Sequence, residues 1–406
     1  MTRVASILDR MPPVAKPQQK FLRVLLATIM VVRGKVNFLN MSRYSQLSER
    51  TFRRQFRQPF DWTAFHRRSI EEVGAPNADL ILAQDASFVK KSGKSTFGLD
   101  RFFNGCAGRA ERGLEVSLIS IIDVERNFAM ALSIEQTPAR PLVARRNHAQ
   151  VQAESRIDFY LQHLATTRSS LPEGVRLAVF DGYYAKRKFV DGVCEMNLHV
   201  ISKLRSDANL RYLYQGPQKK RGRPRRYDGK VDFADLRRLA SLGEVEAGIH
   251  LWTGIVNHQR LGRDIRVVVV IRREKGKRRR LALLFSTDTA LKAKEIYRYY
   301  KARCQIEFLF RDAKQHTGLG DCQARDKAAL SFHFNASMAA VNLARVEALE
   351  RNKGEAQRAF SLSSMKQRRF NEHLLERIIQ KLELEPNAVK SHAEYESLCS
   401  YGAIAA

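Results

Sequence analysis

The spacing of apolar positions changes along this chain, and each change predicts a different kind of element. In the first 70 residues they recur at helical intervals, as at Phe21, Leu25, Ile29 and Val32, one face of an amphipathic helix. Within that stretch NFLNMSRYSQLSERTFRRQFRQ predicts two short helices with a break near Ser45. Ser48 is placed to cap the second, which bears Arg50, Arg53, Arg54 and Arg57. The pair resembles a helix-turn-helix, with Arg53 and Arg54 as its DNA-facing candidates, although any solvated basic helix pair has the same pattern. Past Gly74 and Pro76 the texture becomes strand-like. ADLILAQD, GLEVSLISIIDV and NFAMALSIEQ predict a three-stranded meander, the last two runs parted by the turn at Glu125 to Asn127.

A helix from about His148 to Thr167, the strand VRLAVFD, a helix near Ala185 to Met196 and the strand LHVISKL follow. The order βββ-α-β-α-β is that of an RNase-H-like fold, an α/β class with a mixed sheet and flanking helices. From about Ser206 to Ser286 the chain alternates basic loops with the strands GIHLWTGIVNH, DIRVVVVIR and RLALLFS, which reads as a β-rich insertion. A long helix is expected from about Leu291 to His316, stopping at Gly318 and Gly320, with helix again to about Leu384. The expected organisation is a basic helical DNA-binding domain at 1–75, a catalytic core at 76–205 and 287–345, an insertion at 206–286 and a helical C-terminal region at 346–406.

Composition narrows the partner. Lys plus Arg number 71 against 42 Asp plus Glu, a formal charge of +29, and residues 1–70 alone hold 14 basic against three acidic side chains. Such an excess points to a polyanion. A membrane surface is anionic too, but the longest apolar stretch, Val24 to Val32, falls far short of the roughly 20 residues of a spanning helix. Double-stranded DNA is therefore the expected partner, with no membrane. The five cysteines are scattered, without zinc-ligand spacing, and read as reduced. No apolar leader is visible at the N-terminus, so a cytoplasmic, nucleoid-facing location is expected.

The chemistry concentrates in Tyr300-x-x-Arg303-x-x-x-Glu307-x6-Lys314. At about 100° per residue, Arg303, Glu307 and Lys314 fall roughly −60°, −20° and −40° from Tyr300. Ala302, Ile306, Leu309, Phe310 and Ala313 take the opposite side, so one face packs while the other stays polar. A plain amphipathic helix would share that pattern. The residue set at this spacing, however, resembles the Tyr-Arg-Glu-Lys signature of a family of bacterial insertion-sequence transposases. One departure is Cys304, where relatives often carry an aromatic; it bears on local packing rather than on chemistry.

The resemblance implies a DDE active site: an Asp on the first strand of the core, another after the fourth, and Glu307 as third carboxylate. Asp85 follows LILAQ, and Asp181 closes RLAVF within FDGYY. Asp123, at the end of SLISIID, is the runner-up for the first position; Asp100, Asp191 and Asp312 have weaker contexts. Asp85, Asp181 and Glu307 would bind two Mg²⁺ or Mn²⁺ ions, hard cations that prefer oxygen ligands. Tyr300, Arg303 and Lys314 would contact DNA phosphates, and two protomers would pair the transposon ends. Further DNA contacts are expected from Arg221, Arg223 and Arg225, in a Gly-Arg-Pro run like an AT-hook, and from a hairpin tip at Arg272 to Arg280. Relatives that cut through a hairpin intermediate stack a flipped base on an aromatic of the insertion, and Trp252 is the candidate here. An alternating strand would equally bury that indole.

Overall fold

The computed structural model describes residues 2–74, 78–139, 155–273, 280–351 and 360–404. Five helices come first: α1 (Thr2–Asp9), α2 (Lys16–Val31), α3 (Phe38–Arg43), α4 (Glu49–Gln55) and α5 (Trp62–Val73). The Ser48 hydroxyl accepts the Thr51 N–H at 3.2 Å, capping α4 where the sequence placed a cap. These helices lie directly on the rest of the molecule. Phe56 and Trp62 meet Phe332 with ring centroids 4.7 and 5.0 Å apart, and one continuous apolar cluster joins them to the sheet.

The strands are β1 (Leu80–Lys90), β2 (Asp100–Asn104), β3 (Arg109–Asp123) and β4 (Phe128–Gln136), then β5 (Leu177–Val179) and β6 (His199–Leu204). Helix α6 (Arg156–Thr167) precedes β5, and α7 (Arg187–Glu195) lies between β5 and β6. β3 pairs antiparallel with both β1 and β4, whereas β5 runs parallel to β1 and to β6. The expected meander therefore forms, with an addition: the short β2 pairs with the first residues of β3. The expected start of α6 at His148 lies outside the described residues.

Residues 206–286 supply β7 (Leu210–Leu213), β8 (Tyr227–Lys230), β9 (Ala240–Glu246), β10 (Ile249–His258), β11 (Arg263–Arg272) and β12 (Arg280–Ser286). They do not make a sheet of their own. β12 pairs antiparallel with β6, giving a twelve-stranded sheet in the order β2-β3-β1-β5-β6-β12-β11-β10-β7-β8, with β4 on β3 and β9 on β10. The class is mixed α/β with mostly antiparallel pairing.

The helix expected over Leu291 to His316 is two: α8 (Ala293–Ala302) and α9 (Gln305–His316). At the junction the N–H groups of Cys304, Ile306 and Glu307 reach back only three residues, to Lys301, Arg303 and Cys304. This is a tightened 3₁₀-type turn. No residue is inserted and no Pro or Gly marks it, so the periodicity passes through the break undisturbed. Ala302, Ile306, Leu309, Phe310 and Ala313 are all buried, as expected. α10 (Lys327–Arg351) crosses the expected domain boundary at 345 without interruption, and α11 (Leu362–Lys381), α12 (Pro386–Lys390) and α13 (Tyr395–Ser400) complete the chain.

The sheet separates two apolar layers. α8, α9, α10 and the N-terminal helices share one with Ile81, Ala83 and Leu118; α6 and α7 share the other with Leu82, Ile119 and Phe180. Side chains alternate between faces along β1, so Asp85 and Ser87 belong with Ile81 and Ala83, on the side of α9.

Candidate active site

Three elements converge on that side. Asp85 is in the middle of β1, opposite Leu118, and its Oδ1 accepts the Ala86 N–H at 2.8 Å. Asp181 follows β5 directly and caps a one-turn 3₁₀ helix, Gly182–Tyr184, by accepting the Tyr183 N–H at 2.9 Å. A side chain at Gly182 would press on the Lys203 carbonyl at 3.1 Å, so its small size lets this turn close against β6. Glu307 lies in the first turn of α9, its carboxylate half exposed.

Arg303, at the break between α8 and α9, ties two of these carboxylates together. One of its terminal nitrogens is 2.7 Å from Glu307 Oε1, the other 3.7 Å from Asp85 Oδ2. Its Nε is buried without an acceptor. The Asp85 carboxyl is pushed up to about 7, first by burial and then by the negative charge of Asp181, with Glu307 adding to it; the Ala86 N–H and Arg303 pull the other way. The three carboxylates therefore share one electrostatic neighbourhood, and Arg303 is the positive charge now within it. Burial raises the Tyr300 hydroxyl, and the Arg303 guanidinium lies 5.9 Å from its ring. Lys314 reaches the same strand, its Nζ donating to Ser87 Oγ at 2.8 Å.

The side chains are not drawn tightly together. Among the described residues no group of three His, Cys, Asp or Glu is gathered closely enough to hold an ion. Glu307 instead bonds to Arg303. The donor set nevertheless suits a hard divalent cation: oxygen ligands only, and a carboxyl whose proton affinity is raised by burial and by the neighbouring Asp181 charge.

Other candidates are held elsewhere. Asp123 pairs with Leu80, five residues along β1 from Asp85 and roughly 17 Å away; its Oδ1 accepts the Arg126 N–H. Asp312 is buried against Arg345 at 3.2 Å, Asp191 is bonded to Arg263, and Asp100 is 3.8 Å from Arg156. Trp252 is not brought to the site. It is half-buried in mid-strand, paired on both sides, and packs into the apolar layer on the far face of the sheet from Asp85. The alternation of its strand puts the indole into a core, which is the outcome that competes with base stacking.

The remaining basic candidates are spread over the surface. Arg53 is bonded to Glu49 and lies over the Phe38 ring at 5.0 Å, while Arg54 is exposed beside it. Arg221 and Arg223 are exposed between β7 and β8; Arg225 is held by Asp228 and the Tyr214 ring. Arg272 and Arg280 are register partners closing the β11–β12 hairpin, and its tip, 274–279, lies outside the described residues. Ser87 was not singled out from the sequence. It stands two residues from Asp85 on a strand, hence on the same face, and that period was the available signal.

A family model described as DDE superfamily endonuclease matches residues 11–253. The chain belongs to that family. The matched span of this DDE endonuclease contains Asp85 and Asp181 and ends before Glu307. Enzymes of the family use divalent metal ions. Among solved structures, this endonuclease is similar to a piggyBac transposase from a synaptic complex with hairpin DNA. Identity is 12% and the TM-score 0.44, over 99% of this chain and 81% of that one. No curated protein matches it.

Proposed function

We propose that this endonuclease is a DNA transposase of the insertion-sequence kind. It would cut the inverted-repeat ends of its element and join them to a target in a cut-and-paste reaction. The observation that carries this reading is the Asp85–Asp181–Glu307 neighbourhood, in which burial and the other two carboxylates push Asp85 up to about 7. Supporting it is the stripe on the adjoining helices, where Arg303 and Lys314 reach β1 beside those carboxylates. The β4-β3-β1-β5-β6 part of the sheet, antiparallel up to β1 and parallel beyond, supports an RNase-H-like core.

Asp85, Asp181 and Glu307 would hold two Mg²⁺ or Mn²⁺ ions, which supply charge stabilisation of the attacking and leaving oxygens. The chain's own groups do the rest. Glu307, in a first helical turn with its carboxylate at the surface, is free to leave Arg303 and turn toward the sheet. The guanidinium so released can fork onto a phosphate beside the scissile one, as Lys314 can with its single charge. Tyr300 packs next to Arg303 and limits its rotation. Two protomers would pair two ends on double-stranded DNA. The exposed Arg221 and Arg223 lie at the edge of the sheet, seven strand spacings from β1, at most about 34 Å along it. That is close to one turn of B-DNA.

The deciding experiment incubates purified protein with DNA carrying its element's ends, with and without Mg²⁺. Wild type should cleave and join; Glu307→Gln should bind the same DNA while cleavage falls on the order of a thousandfold. A Glu307→Gln protein that cuts as well as wild type would remove the assignment. Cutting without joining would instead make the protein a nuclease of the same fold.

A further inference from the structure

Next to the candidate active site is a cavity of about 350 Å³, of whose lining the proposed reaction uses Lys314 alone. It opens between the α2–α3 loop, the end of α9 and the start of α11, and four cationic side chains line it: Arg33, Lys35, Lys314 and Lys366. Among the described residues of the lining, Asp321 alone is acidic, and its Oδ2 already accepts the Val36 N–H at 2.8 Å. The wall therefore carries a large positive excess.

The loop presenting Arg33 and Lys35 is held in shape. Asn40 Nδ2 donates to both of their carbonyls, at 2.8 and 2.9 Å, and Gly34 between them takes φ +76°. Arg33 also lies over the Phe370 ring at 4.5 Å and bonds to Gln367. Lys35 is exposed, with no acidic partner among the described residues.

Lys366 is the telling member. It is only 7% exposed, and its ammonium donates to the carbonyls of Ile29 and His316, at 2.9 and 2.5 Å, leaving a third N–H. No carboxylate ion-pairs with it among the described residues. Its charge is balanced by two carbonyl dipoles and the more distant Asp321 carboxylate, an incomplete balance that an anion in the cavity would complete. Burial, followed by the Arg33 charge, holds it down at about 8, the condition a bound anion would reverse.

Lys314 joins the cavity to the carboxylates, because the same side chain bonds to Ser87, two residues from Asp85. We infer that this cavity is a phosphate subsite. It would seat a backbone phosphodiester of the DNA strand, a few nucleotides from the scissile bond, with Arg33, Lys35 and Lys366 as its donors. The inference rests on the transposase reading for the identity of the strand, but its test is independent of cleavage.

Fluorescence anisotropy of a labelled duplex of about 30 base pairs, with full-length protein in EDTA, measures binding without catalysis. Replacing Arg33 and Lys35 together by Ala should weaken binding roughly tenfold at physiological salt and reduce the salt slope by about 1, for the one phosphate left without two of its cations. Lys381→Ala with Lys390→Ala removes the same charge from the C-terminal region and should change the slope far less. Both pairs are near the surface, so thermal melting and circular dichroism should match wild type. Equal slopes for the two double variants would overturn the inference, leaving general charge as the whole effect. Calorimetry with inorganic phosphate at matched ionic strength separates the two sources of the anion. Tight phosphate binding, abolished in the Arg33/Lys35 variant while DNA affinity is unchanged, would assign the cavity to a free anion and overturn the DNA reading. Metal-dependent cleavage is scored separately, so loss of the transposase assignment and loss of this subsite give different results.

Discussion

At the scale of single residues, the controlling feature is a guanidinium placed between carboxylates that repel one another. Asp85 protonates near 7 because burial and Asp181 disfavour its charge, and Arg303 offsets only part of that. For an acid whose folded value is raised, the folded state binds more protons than the unfolded chain between about 4 and 7. Stability from this group is therefore present at low pH and lost as pH rises through 7. Asp85→Asn should accordingly stabilise the metal-free protein at pH 8, by on the order of 2 kcal/mol, and give no gain near pH 4. Thermal denaturation at the two pH values measures this; a gain of equal size at both would contradict it. Metal binding should likewise displace a proton, so Mn²⁺ affinity should weaken as pH falls below 7. Arg303→Ala should bind Mn²⁺ more tightly in the absence of DNA, having lost the competing cation, while losing cleavage. Titration calorimetry reads both effects.

At the scale of elements, the way α9 ends matters as much as the way it begins. Gly318 takes φ +74°, and a Cβ there would come within 2.4 Å of Val36, on the loop that carries Arg33 and Lys35. Gly318→Ala should cost about 1–3 kcal/mol, from left-handed strain plus that close approach. It should also weaken DNA binding by moving the loop, which melting and anisotropy would report separately. The stop at Gly318, the Ser48 cap and the buried back of α9 were legible because each depends on residues within one or two turns. The break at Arg303 was not. Its tightened turn keeps the same faces, so no local signal distinguishes it from continuous helix. β2 was missed for a related reason: five residues with one buried side chain, Phe102, give too little alternation to detect.

At the scale of the whole molecule, charge is the property most directly carried from composition to behaviour. With a formal +29, DNA affinity should fall about a thousandfold or more between roughly 50 and 200 mM salt; a flat dependence would contradict an electrostatic footprint. Domain organisation was less legible. The order of elements outlined the α/β core, and the β content of 206–286 was plain, but nothing local indicates which strand edge another strand will join. The pairing of Leu283 with Leu204 and of Ser286 with Ile201 is a long-range choice, made by two apolar edges that would otherwise leave backbone groups unpaired. Likewise, the packing of Phe56 and Trp62 on Phe332 could not be read from either segment alone.

That seam between β12 and β6 has a consequence for how the protein opens. Amide hydrogen exchange in a chain with an independently folded insertion would show two populations, with 206–286 opening at its own free energy. Here the β12 amides share a ladder with β6, one strand from the Asp181 turn, so the most protected amides on both sides of the seam should exchange together, only through global opening. A perturbation of the outer strands, such as DNA drawing on Arg221 and Arg223, would then be felt as a change in exchange at β5 and β6. The edge of the sheet and its centre would act as one cooperative unit.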